Sequence, residues 1–120
     1  DKIPEIDYND TTPRLTGPLS AEQRVISQLF KEQRTKFNDV NSTEATAKNA
    51  DEKIAQMSDI IKKLNDLAKR AKVQITDIQK LPNPVPDAVT EMETILADIL
   101  ALIDDIRTLY LPNIRRIKGG

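Results

Sequence analysis

The feature that most limits the folds open to this 120-residue chain is a heptad repeat. Between residues 47 and 78, apolar residues recur at alternating steps of three and four, without a miss, for more than four heptads. Such spacing places them all on one face of an α-helix and is typical of a helix-to-helix seam. The first seam consists of Ala47, Ala50, Ile54, Met57, Ile61, Leu64, Ala68, Ala71, Ile75 and Ile78.

A second seam with the same spacing lies between residues 89 and 110. Beside it run Ile95, Leu102 and Leu109, which are seven residues apart and widen the apolar face. A face this broad contacts more than one neighbouring helix, so we expect a single hairpin partner to leave part of it uncovered. The second seam consists of Val89, Met92, Leu96, Ile99, Ile103, Ile106 and Tyr110.

Prolines separate the two helices. Pro82, Pro84 and Pro86 remove backbone donors at alternate positions, which favours a short, stiff reversal of the chain. Either Pro86 is the first residue of the next helix or Asp87 is its cap. Pro112 is predicted to end that helix after about Tyr110.

The first helix is predicted to begin at Ser20, because Ser20 and Gln23 have the spacing of a capping box. Its apolar stripe is thin, since Gln33 fills an intermediate position. The stripe slips around the helix at residues 41–44, where either the helix is locally irregular or it breaks and restarts. We favour an irregularity within one long helix.

These patterns predict an all-α, elongated helical hairpin or coiled coil. An extended, proline-containing segment precedes it and is expected to lie along a surface through Ile3, Ile6, Tyr8 and Leu15. The predicted segments are 1–19 (extended), 20–80 (long helix), 81–86 (proline-rich turn), 87–111 (second helix) and 112–120 (tail).

The residue types that are missing argue against an enzyme. The chain has neither Cys nor His, so it lacks the thiolate nucleophile, the commonest general base and the commonest transition-metal ligands. We therefore expect no catalytic residues, metal or cofactor. A net charge of -1 gives no strong attraction to nucleic acid, and the longest apolar stretch, residues 95–103, is too short to cross a bilayer.

Charge favours pairing of the two helices with each other. Residues 47–80 carry eight bases and five acids, whereas residues 87–110 carry six acids and only Arg107 as a base. An antiparallel hairpin would bring these flanks together, and exposed pairs contribute about 0.2 to 1 kcal/mol each.

Two helices alone offer one seam, which cannot easily offset the entropy lost on folding. We therefore predict that another chain, in a homo- or hetero-oligomer, covers the apolar stripes, and that the protein is a non-catalytic scaffold or adaptor segment. An extracellular coiled-coil rod, suggested by the sequons at Asn9 and Asn41, and reversible lipid binding are the alternatives. No compartment is fixed, although an intracellular one is slightly favoured. The predicted partner interface consists of Ile54, Met57, Ile61, Leu64, Ile75, Ile78, Met92, Ile95, Leu96, Ile99, Leu102, Ile103, Ile106, Leu109 and Tyr110.

Overall fold

A computed structural model describes residues 15–83 and 85–119 of the chain. Within these residues there are helices and no strands, and the predicted all-α, hairpin-like fold is confirmed. The last two helices are joined without a break by a π-helical turn, Ile106–Tyr110. The helices are α1 (Gly17–Asn41), α2 (Ala50–Gln79), α3 (Pro86–Asp105) and α4 (Leu111–Gly119).

Helix α2 lies at the centre, with α1 against one side and α3 and α4 against the other. The α2–α3 pair is the predicted antiparallel hairpin. Helix α1 also runs antiparallel to α2, because the start of α1 contacts the end of α2. Consequently α1 and α3 run parallel, and the end of α1 meets the π-helical turn after α3 through the rings of Phe37 and Tyr110, whose centroids are 4.9 Å apart at 82°.

The predicted long helix over residues 20–80 is divided in two. The chain leaves the helix after Asn41 and re-enters it at Ala50, so the slip predicted near residues 41–44 is a full break. Asn49 stabilises the connection, because its side chain accepts a hydrogen bond from the Thr46 N–H and donates one to the Glu44 carbonyl. The stripe changes phase here, and a break lets each helix turn its apolar side toward the other.

Helix α1 begins at Gly17, three residues before the predicted start. Gly17 has a φ of 62°, in the left-handed region that favours glycine, and Pro18 follows in the first turn, where a missing N–H costs little. Ser20 is therefore inside the helix and not its cap. Leu15 packs partly buried against the core, whereas the predicted anchors Ile3, Ile6 and Tyr8 lie outside the described residues.

The second helix of the hairpin begins at Pro86, one of the two predicted starts. It does not end at Pro112, because the π-helical turn carries the chain on into α4. In that turn the Leu111 N–H donates to the Ile106 carbonyl, five residues back, and this wider turn accommodates one extra residue. Pro112 then falls in the first turn of α4, where a proline is tolerated.

The extra residue also keeps the apolar side of the helix turned inward. The buried positions pass from Ile106 to Leu111 and Ile114, a step of five and then of three, while Tyr110 remains half-buried beside them. The residues beyond Pro112, predicted to be a tail, thus form an amphipathic helix packed on α2.

The core runs along the whole bundle and contains Met57 and Met92, one from each of the two predicted seams. Three polar or charged residues, Lys53, Gln74 and Gln33, are buried with it, and Gln33 differs from the other two in its hydrogen bonding. The residue is only 5% exposed, and its buried Oε1 has no hydrogen-bond partner among the described residues. A buried polar atom without a partner loses its hydration and gains nothing in return.

We expect Gln33→Leu to raise the free energy of unfolding by about 1 to 2 kcal/mol, because it removes this unpaired oxygen and adds apolar contact. Urea denaturation followed by circular dichroism measures the change. Gln28→Leu, at an exposed position of the same helix, is the control and is expected to change stability little. Equal effects of the two substitutions would contradict the role assigned to Gln33.

Candidate partner-binding surface

The structure divides the fifteen predicted interface residues by burial. Eight of them are buried within the single chain, which corrects the premise that another molecule has to cover them. The buried eight are Met57, Ile61, Leu64, Ile78, Met92, Ile99, Ile103 and Ile106. Ile54, Ile75, Ile95, Leu96, Leu102 and Tyr110 are half-buried, and Leu109 alone of the fifteen is exposed, at 61%.

Helix α1 contributes to this burial within the single chain, because it packs on a second stripe of α2. Lys53, Ile60, Leu67 and Gln74 are seven residues apart and all buried. This stripe lies beside the predicted seam, so α2 is sealed by α3 on one side and by α1 on the other. Two of its four residues are polar, so the apolar periodicity of the sequence does not indicate this stripe.

The polar ends of this stripe hold the two ends of α1. Lys53 Nζ donates to the Thr43 carbonyl at 2.9 Å and to the Thr43 hydroxyl at 2.7 Å, and it also donates to the Val40 carbonyl. At the opposite end, Gln74 Nε2 donates to the Leu19 carbonyl at 2.7 Å. The bonds from Lys53 satisfy carbonyls at the C-terminal end of α1, where a helix leaves its acceptors unpaired, and the bond to Leu19 satisfies the buried amide of Gln74.

A charged pair reinforces the same junction. Arg70 donates two hydrogen bonds to the Glu22 carboxylate, from Nε at 2.9 Å and from Nη2 at 2.6 Å. The hydrogen bonds from Arg70 lower the pKa of Glu22, against the opposing effect of desolvation, and the positive charge of the guanidinium adds to the lowering. The same contact raises the pKa of Arg70.

The depressed pKa of Glu22 gives the stability of the bundle a pH dependence. Its contribution is present above the unfolded-state pKa of the carboxyl, near 4.5, and is lost as the pH falls through the lower pKa of the folded state. Glu22→Gln should therefore cost less than about 1 kcal/mol at pH 7, since solvent screens this partly exposed pair, and should flatten the loss of stability below pH 4.5. Urea denaturation at several pH values from 3 to 7 measures the free energy of unfolding, and Glu32→Gln, at an exposed position, is the control. An unchanged pH slope would contradict the assignment.

The predicted charge pairing between the helices of the hairpin takes a different form. Within the described residues, Arg70 pairs with α1 and not with α3, and the ion pair between the two arms of the hairpin joins Lys118 to Asp51 at 2.6 Å. In that pair the base is on the later helix and the acid on the earlier one, the reverse of the predicted polarity. The acids of α3 face outward instead.

One apolar row remains on the outside of the bundle. Ile95, Leu102 and Leu109, which we call the α3 ridge, are half-buried, half-buried and exposed in that order. Seven residues of an α-helix turn about 20° less than two full turns, so a row with this spacing winds slowly around the helix. The other large exposed hydrophobic residues, Val25, Val73 and Leu100, do not belong to this row.

An acidic row borders the ridge. Glu91, Asp98 and Asp105 each precede a ridge residue by four positions, which places each carboxylate one helical turn away on the same side. All three are exposed, and within the described residues no lysine or arginine nitrogen lies within 4.0 Å of them. Glu91 also lines a shallow groove between α3 and α1, opposite Arg24 and Lys31.

The described residues offer little else with functional chemistry. None of their His, Cys, Asp and Glu side chains form a group of three that could hold a metal ion. None of the helices they form is long and apolar enough to span a bilayer. Of the two sequon asparagines, Asn41 is exposed at the end of α1, and Asn9 lies outside the described residues.

Comparisons with known proteins add no assignment: no family model, no curated protein and no solved structure matches the chain.

Proposed function

We propose that this chain is a non-catalytic helix-binding module, a three-helix unit that joins a larger assembly by holding a helix of a partner protein along the α3 ridge. The observation that carries the proposal is the exposure of Leu109, 61%, at the end of an apolar row on a bundle whose other long stripes are sealed. An apolar row that is only partly covered favours association, because covering it removes apolar surface from water.

The composition supports the same function. With neither His nor Cys in its sequence, the chain lacks the side chains most often used for acid-base and nucleophilic catalysis. A half-buried row on a rigid helix suits recognition of another helix, in which anchors at heptad spacing enter the groove beside it.

Site-specific photo-crosslinking in the cells that produce the protein tests the proposal. A benzoylphenylalanine at position 109 is compared with the same residue at position 73, because Leu109 and Val73 are almost equally exposed, at 61% and 59%, while Val73 lies on α2, away from the ridge. We expect a discrete crosslinked protein from position 109 only. No product, or equal products from both positions, would rule out the ridge as the binding surface.

A further inference from the structure

Resting on the proposed function, we propose that the occupant of the α3 ridge is a basic amphipathic helix of another protein, with apolar residues about every seven positions and lysine or arginine one turn away from them. The proposal identifies the partner by its chemistry, and it follows from the geometry of the ridge and of the acidic row beside it.

The apolar part of the surface sets the length and the periodicity of the occupant. From Ile95 to Leu109 the ridge extends about 20 Å along the helix axis, the rise of four helical turns. Its three side chains are seven residues apart, with Ile95 and Leu102 on the regular part of α3 and Leu109 in the π-helical turn. A partner helix lying alongside meets this repeat best with anchors of the same spacing.

The charges beside the ridge determine whether the flanking residues of the partner helix should be basic or acidic. Asp98 and Asp105 flank Leu102 and Leu109 without a cation within 4.0 Å among the described residues. A docked helix would cover the ridge and leave both carboxylates at the rim of the contact, where opposite charges steer association and like charges oppose it. An acidic helix would therefore be rejected and a basic one favoured.

Glu91 contributes less to this preference than the two aspartates. It shares the groove between α1 and α3 with Arg24 and Lys31, which partly balance its charge. Asp98 and Asp105, beside Leu102 and Leu109, consequently carry most of the charge preference of the ridge, and the bases of α4 begin only beyond it, at Arg115.

Two synthetic helices test the proposal with the intact chain. Both have three heptads, about 30 Å in length, with leucine at the anchor positions, and they differ only in having lysine or glutamate at the flanking positions. Fluorescence anisotropy in low salt is expected to give at least about tenfold tighter binding for the lysine helix. We expect this preference to shrink as salt is raised.

Variants locate the binding on the ridge. Asp98→Asn with Asp105→Asn should weaken binding of the lysine helix by about three- to tenfold. Glu93→Gln with Asp104→Asn is the matched control: both residues are exposed on the other flank of α3, and the affinity should not change. Leu109→Glu should abolish binding while the circular dichroism of the bundle stays that of the parent.

Four results would overturn the proposal: no binding of either helix at about 100 µM, equal affinity for both, equal losses in the two double variants, or binding to anionic vesicles that Leu109→Glu removes. A fifth such result would be a dimer of the chain, seen by light scattering, that Leu109→Glu dissociates. The occupant of the ridge would then be a second copy of this chain. A discrete crosslink from position 109 together with any of the first three would leave the helix-binding function standing and reject only the basic partner.

Discussion

Ile99→Asp is expected to leave the isolated chain unfolded at room temperature. Ile99 is fully buried, at 0% exposure, on the side of α3 that meets α2. An aspartate there loses its hydration, finds no cation among its apolar neighbours and costs several kcal/mol. A domain of this size has about 5 to 15 kcal/mol of stability in total, so the substitution removes most of it. Circular dichroism and urea denaturation measure the loss.

The adjacent residue provides a close control for this prediction. Leu100 is 43% exposed, and Leu100→Asp introduces the same charge one position further along the same helix. It should keep the helical signal and change the free energy of unfolding by about 1 kcal/mol or less. A cooperatively folded Ile99→Asp variant of parental stability would mean that Ile99 faces a partner and not the core, as the sequence first suggested.

Lys53→Met is expected to lower the free energy of unfolding by about 2 to 4 kcal/mol. The lysine is buried, at 5% exposure, and its ammonium group donates to two carbonyls and a hydroxyl at the end of α1. Methionine fills a similar volume but leaves these three acceptors without a partner. The positive charge also lies close to the C-terminus of α1, where the helix dipole favours a cation.

Lys62→Met is the control, because Lys62 is on the exposed side of the same helix. Hydrogen exchange adds a local measurement: amides in the last turn of α1 and at residues 42–49 should lose protection in Lys53→Met more than those at the other end of α1. A stability within about 0.5 kcal/mol of the Lys62→Met control, with unchanged exchange, would show that solvent replaces the ammonium group without loss.

The docking of α1 determines which surfaces of the bundle remain open to a partner. With α1 docked, the seams of α2 and α3 are largely internal, and the partner that we propose would meet α3 from the side, along the ridge and the acidic row. The spacing of apolar residues in the sequence already predicts the ridge, as the row that widens the second seam. Spacing alone does not separate the two rows, since Met92, Ile99 and Ile106 also lie seven residues apart and are fully buried.

The sequence was sufficient to predict the hairpin of α2 and α3 but not the packing of α1 against it. Both seams are regular heptads, and the prolines at 82 and 86 mark the reversal between them. Helix α1 has a thin stripe interrupted by Gln33, and its docking site on α2 begins with Lys53 and ends with Gln74. Because neither pattern is strongly apolar, periodicity alone could not show that the two surfaces fit together.

By itself the sequence determined that the chain is helical, that two of its helices pair as an antiparallel hairpin, and that its apolar face is too broad for that hairpin. Only the tertiary structure showed that α1 covers a second stripe of α2 and that the α3 ridge stays partly exposed. Hydrogen bonds between α1 and α2 join residues from 13 to 55 positions apart, and the burial of Lys53 and Gln74 is tolerated because backbone carbonyls accept their hydrogen bonds. Those acceptors come together only once the loop and the helix ends have folded.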